Sequence, residues 1–306
     1  MEIKEITFSN FDEFLNAVLP NGSIGKTLSG YIYRGESSAK YKLLPSALRE
    51  ENIAKLRQQV GENVFKLNDT EWLQIFAEYR ILKKFYVAAN NSGLKVHTSD
   101  VMARHYFDEV APEVFFRKEM IWFEPDIVEL AALAQHHGAL TRMLDWSNDL
   151  LVSLYFACIG SMKKLTERPN DAMVVWALDA HNIQVNEQHI YTIGKETCPL
   201  KIVVPPYYSN PNLKAQKGVL TYWKVTTNMK EGTPVDRTPM NELIQNSSIH
   251  QRPMYKFIIP NDYSTDVYEW LKRLGITAST IYPGYRGVVQ QLEEDALCLS
   301  LKNKSC

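Results

Sequence analysis

The chain has 306 residues, 45% hydrophobic and 23% charged, which suits a globular protein with a substantial core. Its 34 basic and 35 acidic side chains leave a formal net charge of -1, so no global field draws it to nucleic acid or an anionic membrane. No apolar run reaches the roughly 18 residues that span a bilayer, and the acidic, amphipathic start "MEIKEITFSNFDEFLNAVLP" has no signal-peptide pattern, so a cytoplasmic location without membrane partners is expected.

Residues 11–18 read as a short helix capped by Ser9 or Asn10. "NGSIGKT", 21–27, ends like a phosphate-binding loop, but Pro20 stands where that loop needs a glycine and a helix precedes it; a surface turn is expected. "GYIYRG", 30–35, reads as a strand, with aromatic and β-branched residues. From about 45 to 137 the pattern is helical. Asp69 or Thr70 caps a segment in which Trp72, Ile75, Phe76, Tyr79 and Leu82 recur at three- and four-residue steps, the spacing of a core-facing stripe. "EPDIVELAALAQHHG" is a second helix, with Ile127, Leu130, Ala131 and Ala134 on one face and Gly138 placed to end it in a left-handed conformation. A third helix is expected to start near Ser147, burying Leu151, Leu154, Tyr155 and Cys158.

Strands are then expected at 172–178, 201–205, 218–223 and 255–260. The helix "STDVYEWLKRLG", with Ser264 as cap and Gly275 as stop, follows, and 286–302 closes the chain as a helix. No repeat and no Pro/Gly/Ser-rich linker divides the sequence. The expectation is one α+β domain over 1–306, with a helical N-terminal half, an insertion at about 55–125 and a small mixed sheet. Cys158, Cys198, Cys298 and Cys306 are widely spaced and read as reduced thiols.

The densest polar cluster directly precedes the most apolar segment. Gln135, His136, His137, Arg142, Asp145 and Trp146 fall within twelve positions, and such groups are costly to bury. Adjacent histidines point about 100° apart on a helix, unlike the i, i+4 spacing of zinc helices, so no metal is expected. No G-x-S-x-G or G-x-G-x-x-G anchors a serine hydrolase or a dinucleotide fold. The segment from Gly138 to Ser147 reads as a turn forming the wall of a binding site, with Arg142 and Asp145 paired across it. The architectural alternative is that this pair pins two helices and Trp146 is packing. Arg34, at a strand end, offers five donors in a fixed fork, and Gly35 lets a ligand approach the backbone. Arg34, His136 or His137, Arg142 and Asp145 are expected to converge on one cleft.

"YRGE", "LLPSALR", "QHHGALTRMLDWSNDLLVSLYFA", "NPNLKAQKGVLT" and "GITASTIYP" occur in the order seen in the FRG domain family, which the chain resembles over roughly 30–290. It departs from the family at Leu140, where a proline is usual, and at Asn148 and Asp149. The resemblance implies an ADP-ribosyltransferase-like cleft that consumes NAD, in a toxin or phage-defence effector that modifies protein or nucleic acid, with an antitoxin or regulatory partner. It implies Arg34, His136, Gln216 and Glu36 as catalytic residues. Tyr33, Gly35, Thr141, Arg142 and Asp145 would hold the NAD. Gln216 stands where such enzymes carry a glutamate, which leaves Glu36 or Asp145 to supply negative charge. The alternatives are a non-catalytic module that binds a nucleotide or partner in the same cleft, and a nuclease or nucleotide hydrolase using His136 and Asp145.

Overall fold

The computed structural model describes residues 1–61, 70–96, 120–123, 127–168, 170–184, 199–205, 207, 210–227, 232–247 and 252–305. Nine strands are defined: β1 (Ile3–Thr7), β2 (Tyr31–Glu36), β3 (Met120–Trp122), β4 (Met143–Ser147), β5 (Ala172–Asp179), β6 (Leu200–Val203), β7 (Gly218–Trp223), β8 (Val225–Thr227) and β9 (Met254–Pro260). The helices that matter here are α1 (Phe11–Val18), α2 (Glu50–Val60), α3 (Glu71–Asn91), α4 (Val128–His136) and α5 (Leu150–Met162). They are followed by α6 (Pro211–Ala215), α7 (Met240–Asn246), α8 (Ser264–Arg273), α9 (Ala278–Ile281) and α10 (Tyr285–Ser305). The molecule is α+β. Seven strands make one mixed sheet in the order β1-β9-β5-β2-β4-β7-β6, and β3 pairs with β8 in a separate ribbon.

Strand β5 shows how the layers form. Its side chains alternate between faces. Met173, Val175 and Ala177 enter a cluster with Phe14, Leu154, Tyr155, Phe257 and Tyr268, contributed by α1, α5, β9 and α8. Val174, Trp176 and Leu178 enter the opposite cluster with Leu43, Leu144, Trp146, Met240 and Ile244. A third cluster joins α3 and α4 to the far ends of β4 and β7 through Ile75, Tyr79, Leu82, Leu130, Met143 and Tyr222. The stripe expected on α3 is thus in the core, with Trp72 and Phe76 half-buried beside it.

Most of the sheet is tightly laddered. Strands β2 and β5 pair from Tyr31↔Asp179 to Glu36↔Val174. Strands β4 and β7 pair from Met143↔Tyr222 to Ser147↔Gly218. Between β2 and β4 the pairing is confined to Tyr33↔Ser147. The sheet therefore consists of two well-knit halves, β1-β9-β5-β2 and β4-β7-β6, that part beyond a single rung.

Several expectations are corrected. The helix placed near Ser147 begins at Leu150, capped by Asp149, whose Oδ1 accepts from the Leu151 amide at 2.8 Å. Residues Met143–Ser147, read as turn, are a strand inside the sheet. The sheet is not small, and it does not follow the helices: β1, β2 and β4 come from the first half of the chain. Strand β1, not expected from the sequence, pairs in parallel with β9 from Ile3↔Met254. Ser264 is the first residue of α8, with Tyr263 at its N-cap. "NGSIGKT" follows α1 and holds only the short 3-10 turn Gly25–Thr27. The cap of α1 is Asn10, whose Oδ1 accepts from the Glu13 amide at 2.8 Å, and that of α3 is Thr70. Cys158 and Cys298 are buried free thiols. Asp69, Cys198, Cys306, residues 124–126 of the second expected helix, and 62–69 and 97–119 of the expected insertion lie outside the described residues. No described helix is long and apolar enough to cross a membrane.

Candidate functional site

Arg34 follows the last rung between β2 and β4, and its guanidinium sits in the fork. Its Nη1 donates to the Asp145 carbonyl at 2.7 Å, across the gap, while its Nε donates to Glu36 Oε1 at 2.8 Å. Residues two apart on a strand share a face, so the Arg34–Glu36 pair follows from the local conformation. Burial works against the Arg34 charge, but the carboxylates of Glu36 and Asp145 outweigh it and raise the pKa above its usual value. Next door, burial and Asp149 push the Tyr33 phenol up to about 12, so it stays a neutral donor.

Gly35 is required by packing. A Cβ there would lie 1.8 Å from the Ser153 carbonyl oxygen and 2.9 Å from the Ala157 nitrogen. Only glycine lets α5 cross β2 this closely. The need for glycine at 35 is thus explained by helix–sheet packing and not by ligand approach, and the same close crossing brings Ser153 and Phe156 of α5 to the cleft.

Helix α4 delivers the histidines. Gly138, at φ +89°, ends it, with the Gly138 amide bonded to Gln135 O and the Ala139 amide to Ala134 O. The His136 and His137 rings meet edge-on with centroids 5.3 Å apart, and His137 stacks on Phe85. Burial, then the neighbouring His137, lowers the His136 pKa against the opposing pull of Asp145, so His136 is a neutral imidazole near pH 7.

Strand β4 exposes Asp145 between buried Leu144 and Trp146. The Trp146 indole Nε1 donates to Thr221 Oγ1 at 2.8 Å, which ties it to β7. Gln216 ends α6, and its carbonyl accepts from Ser147 Oγ at 2.7 Å. Lys217 takes a left-handed φ of +48° and salt-bridges Asp149 at 2.7 Å. These contacts fix the Gln216 corner against the end of β4.

These groups share one open cleft of about 730 Å³, within the roughly 300–1,000 Å³ of small-molecule sites. Tyr33, Arg34, Gly35, His136, Asp145 and Gln216 all line it, as do His137 and Asn212. Its other wall comes from Phe156, from the α9–α10 turn through Tyr282 and Pro283, and from α10 through Arg286 and Gln290. The Phe156 and Tyr282 rings meet edge-on at 6.4 Å. Sequence reasoning missed this wall. The available signal was Arg286 and Gln290, four apart and so on one helix face, next to the "TIYP" run.

Three expected residues do not line the cleft: Glu36, Thr141 and Arg142. Glu36 is held by Arg34. Thr141 is buried, and its Oγ1 donates to Gln135 Oε1. Arg142 is 3% exposed and forms no pair with Asp145; it binds Glu78 through Nε and Nη2 at 2.8 and 2.9 Å, and Glu71 through Nη1 at 2.7 Å. Arg142 stands at a bend just before β4, buried among α3 carboxylates, whereas Asp145 lies exposed in the middle of the strand, so the two do not meet. Glu78 also accepts from Trp122 Nε1 and Gln74 Nε2, so Arg142 anchors α3 to the start of β4.

No curated protein and no solved structure matches the chain. The family model described as FRG domain matches residues 29–165, the stretch that supplies β2, α4, β4 and α5 to the cleft, and this match supports the FRG family.

Proposed function

We propose that the cleft binds NAD, breaks its nicotinamide–ribose bond and transfers ADP-ribose to a protein or nucleic-acid acceptor. The observation that carries this reading is the shared cleft itself: a guanidinium at the sheet fork, an exposed carboxylate and a neutral imidazole, from separate segments, face one hollow. In the reaction, the glycosidic C–N bond breaks and its electron pair leaves with nicotinamide. Positive charge develops on the ribose. The acceptor's lone pair then forms the new bond to the same carbon, and its proton passes to a base.

Asp145 is the carboxylate placed to stabilise that developing cation. Glu36 is occupied by Arg34 and lies off the cleft wall. His136, uncharged at neutral pH, takes the acceptor proton. Gln216 orients ribose hydroxyls through its amide, and Arg34 donates to ribose or phosphate oxygens.

Nicotinamide release from NAD, with and without cell extract as a source of acceptor, tests this. Asp145→Asn is expected to slow release by about 10²–10³-fold, the usual effect of removing one electrostatic stabiliser. Release that survives Arg34→Ala unchanged would overturn the assignment. One feature favours a second reading, binding without turnover: position 216 carries an uncharged amide. Saturable NAD binding with no nicotinamide release would establish that alternative.

A further inference from the structure

Arg34 and Arg286 both line the cleft, but only one is already committed. Arg34 is bonded to Glu36 and to the Asp145 carbonyl. Arg286 is exposed and makes no hydrogen bond or ion pair with any described residue. It sits in the first turn of α10, where a cation opposes the helix dipole, and no acidic residue shares that turn to compensate it. Local helix energetics therefore do not explain this residue; a charge supplied from outside would.

The surroundings narrow what that charge belongs to. Tyr282, four residues before Arg286, and Phe156 present aromatic rings to the same wall. Gln290, one turn after Arg286, donates to Glu294 at 2.8 Å, and Glu294 accepts from the Tyr155 hydroxyl at 2.9 Å. The buried Tyr155–Glu294 bond fastens α10, the helix that carries Arg286, to α5. Aromatic rings on the same wall as a planar guanidinium with no described partner suit a flat ring carried on a phosphate. Asp145, exposed on β4, supplies the opposite sign on another wall. The cleft thus matches a ligand with an anionic part and a cationic part.

We propose that Arg286 recognises the phosphate of the nucleotide that enters the cleft and selects phosphorylated ligands over their nucleosides. This rests on the nucleotide-binding part of the reading above, and not on bond cleavage. Calorimetric titration of the full chain with ADP-ribose, inorganic pyrophosphate and adenosine tests it. The wild type is expected to bind ADP-ribose at least about tenfold more tightly than adenosine. Arg286→Ala and Arg286→Gln are expected to lose about tenfold for ADP-ribose and pyrophosphate and to leave adenosine within about twofold, with Arg286→Lys intermediate. An unchanged melting temperature checks that the variants remain folded. ADP-ribose affinity that survives Arg286→Ala overturns the proposal, as does wild-type protein that binds adenosine as tightly as ADP-ribose or binds none of the probes. The two readings fail separately. Arg286-dependent ADP-ribose binding without nicotinamide release sinks cleavage alone, and nicotinamide release with ADP-ribose binding indifferent to Arg286 sinks this proposal alone.

Discussion

Burial and His137 push the His136 imidazole below its ordinary value of 6.5, and Asp145 only partly offsets them. The unfolded chain therefore holds the proton more firmly than the folded one. Stability rises with pH wherever the unfolded state binds more protons. A penalty from His136 accordingly sets in as pH falls through the unfolded value and is complete below the folded one. The His136 ring resonances are expected to titrate below 6.5 by NMR, and replacing His136 with Asn should flatten the stability profile across that window. A titration at or above 6.5 would contradict the environment described for this ring. Gly35 makes a steric prediction at the same scale. Gly35→Ala drives a methyl into the Ser153 carbonyl, a backbone atom that moves only if α5 moves. A loss of about 1–3 kcal/mol in urea unfolding is expected, as for overpacked cores. An unchanged midpoint would show that α5 rides higher on β2 than described.

Strand β4 connects the architecture to the cleft, because its first residues are anchored by α3 and its middle residue is Asp145. Arg142→Met leaves Glu71 and Glu78 buried without their cation, so a loss of about 3–5 kcal/mol is expected. Double replacement of Arg142 and Glu78 by apolar residues should cost less than the single change, read by the same denaturation. The element was also the hardest to read from sequence. Four of its five residues are buried, so the alternation that marks a one-sided strand is missing. Ser147, Asn148 and Asp149 then compress strand end, turn and helix cap into three positions, which made the strand look like part of the turn. Strand β1, "IKEIT", is short and charged, and it blended into the helical start. By contrast, α1, α3 and β7 carried strong local signals: an Asx cap, a three- and four-residue aromatic stripe, and a compact β-rich run. The site was legible to the same degree. Arg34, His136, Asp145 and Gln216 stand out as polar residues beside apolar segments. Phe156, Tyr282 and Arg286 do not, because an aromatic or an arginine on a helix looks the same whether it faces core, cleft or water until the neighbouring elements are placed.

Across the whole molecule, the near-balanced charge conceals an uneven local arrangement, with Asp145 and Arg286 on separate walls of one hollow. The hollow itself comes from the sheet. Where pairing continues, main-chain donors and acceptors satisfy each other; where β2 and β4 part, those groups are left to side chains or to a guest, and the Asp145 carbonyl has already taken the Arg34 guanidinium. Among the described residues, the aperture is thus written into strand registry. Its gape is governed by how far two stiff leaves zip together, so extending the β2–β4 ladder by one further pair would shut out a visitor without altering any side chain that greets it.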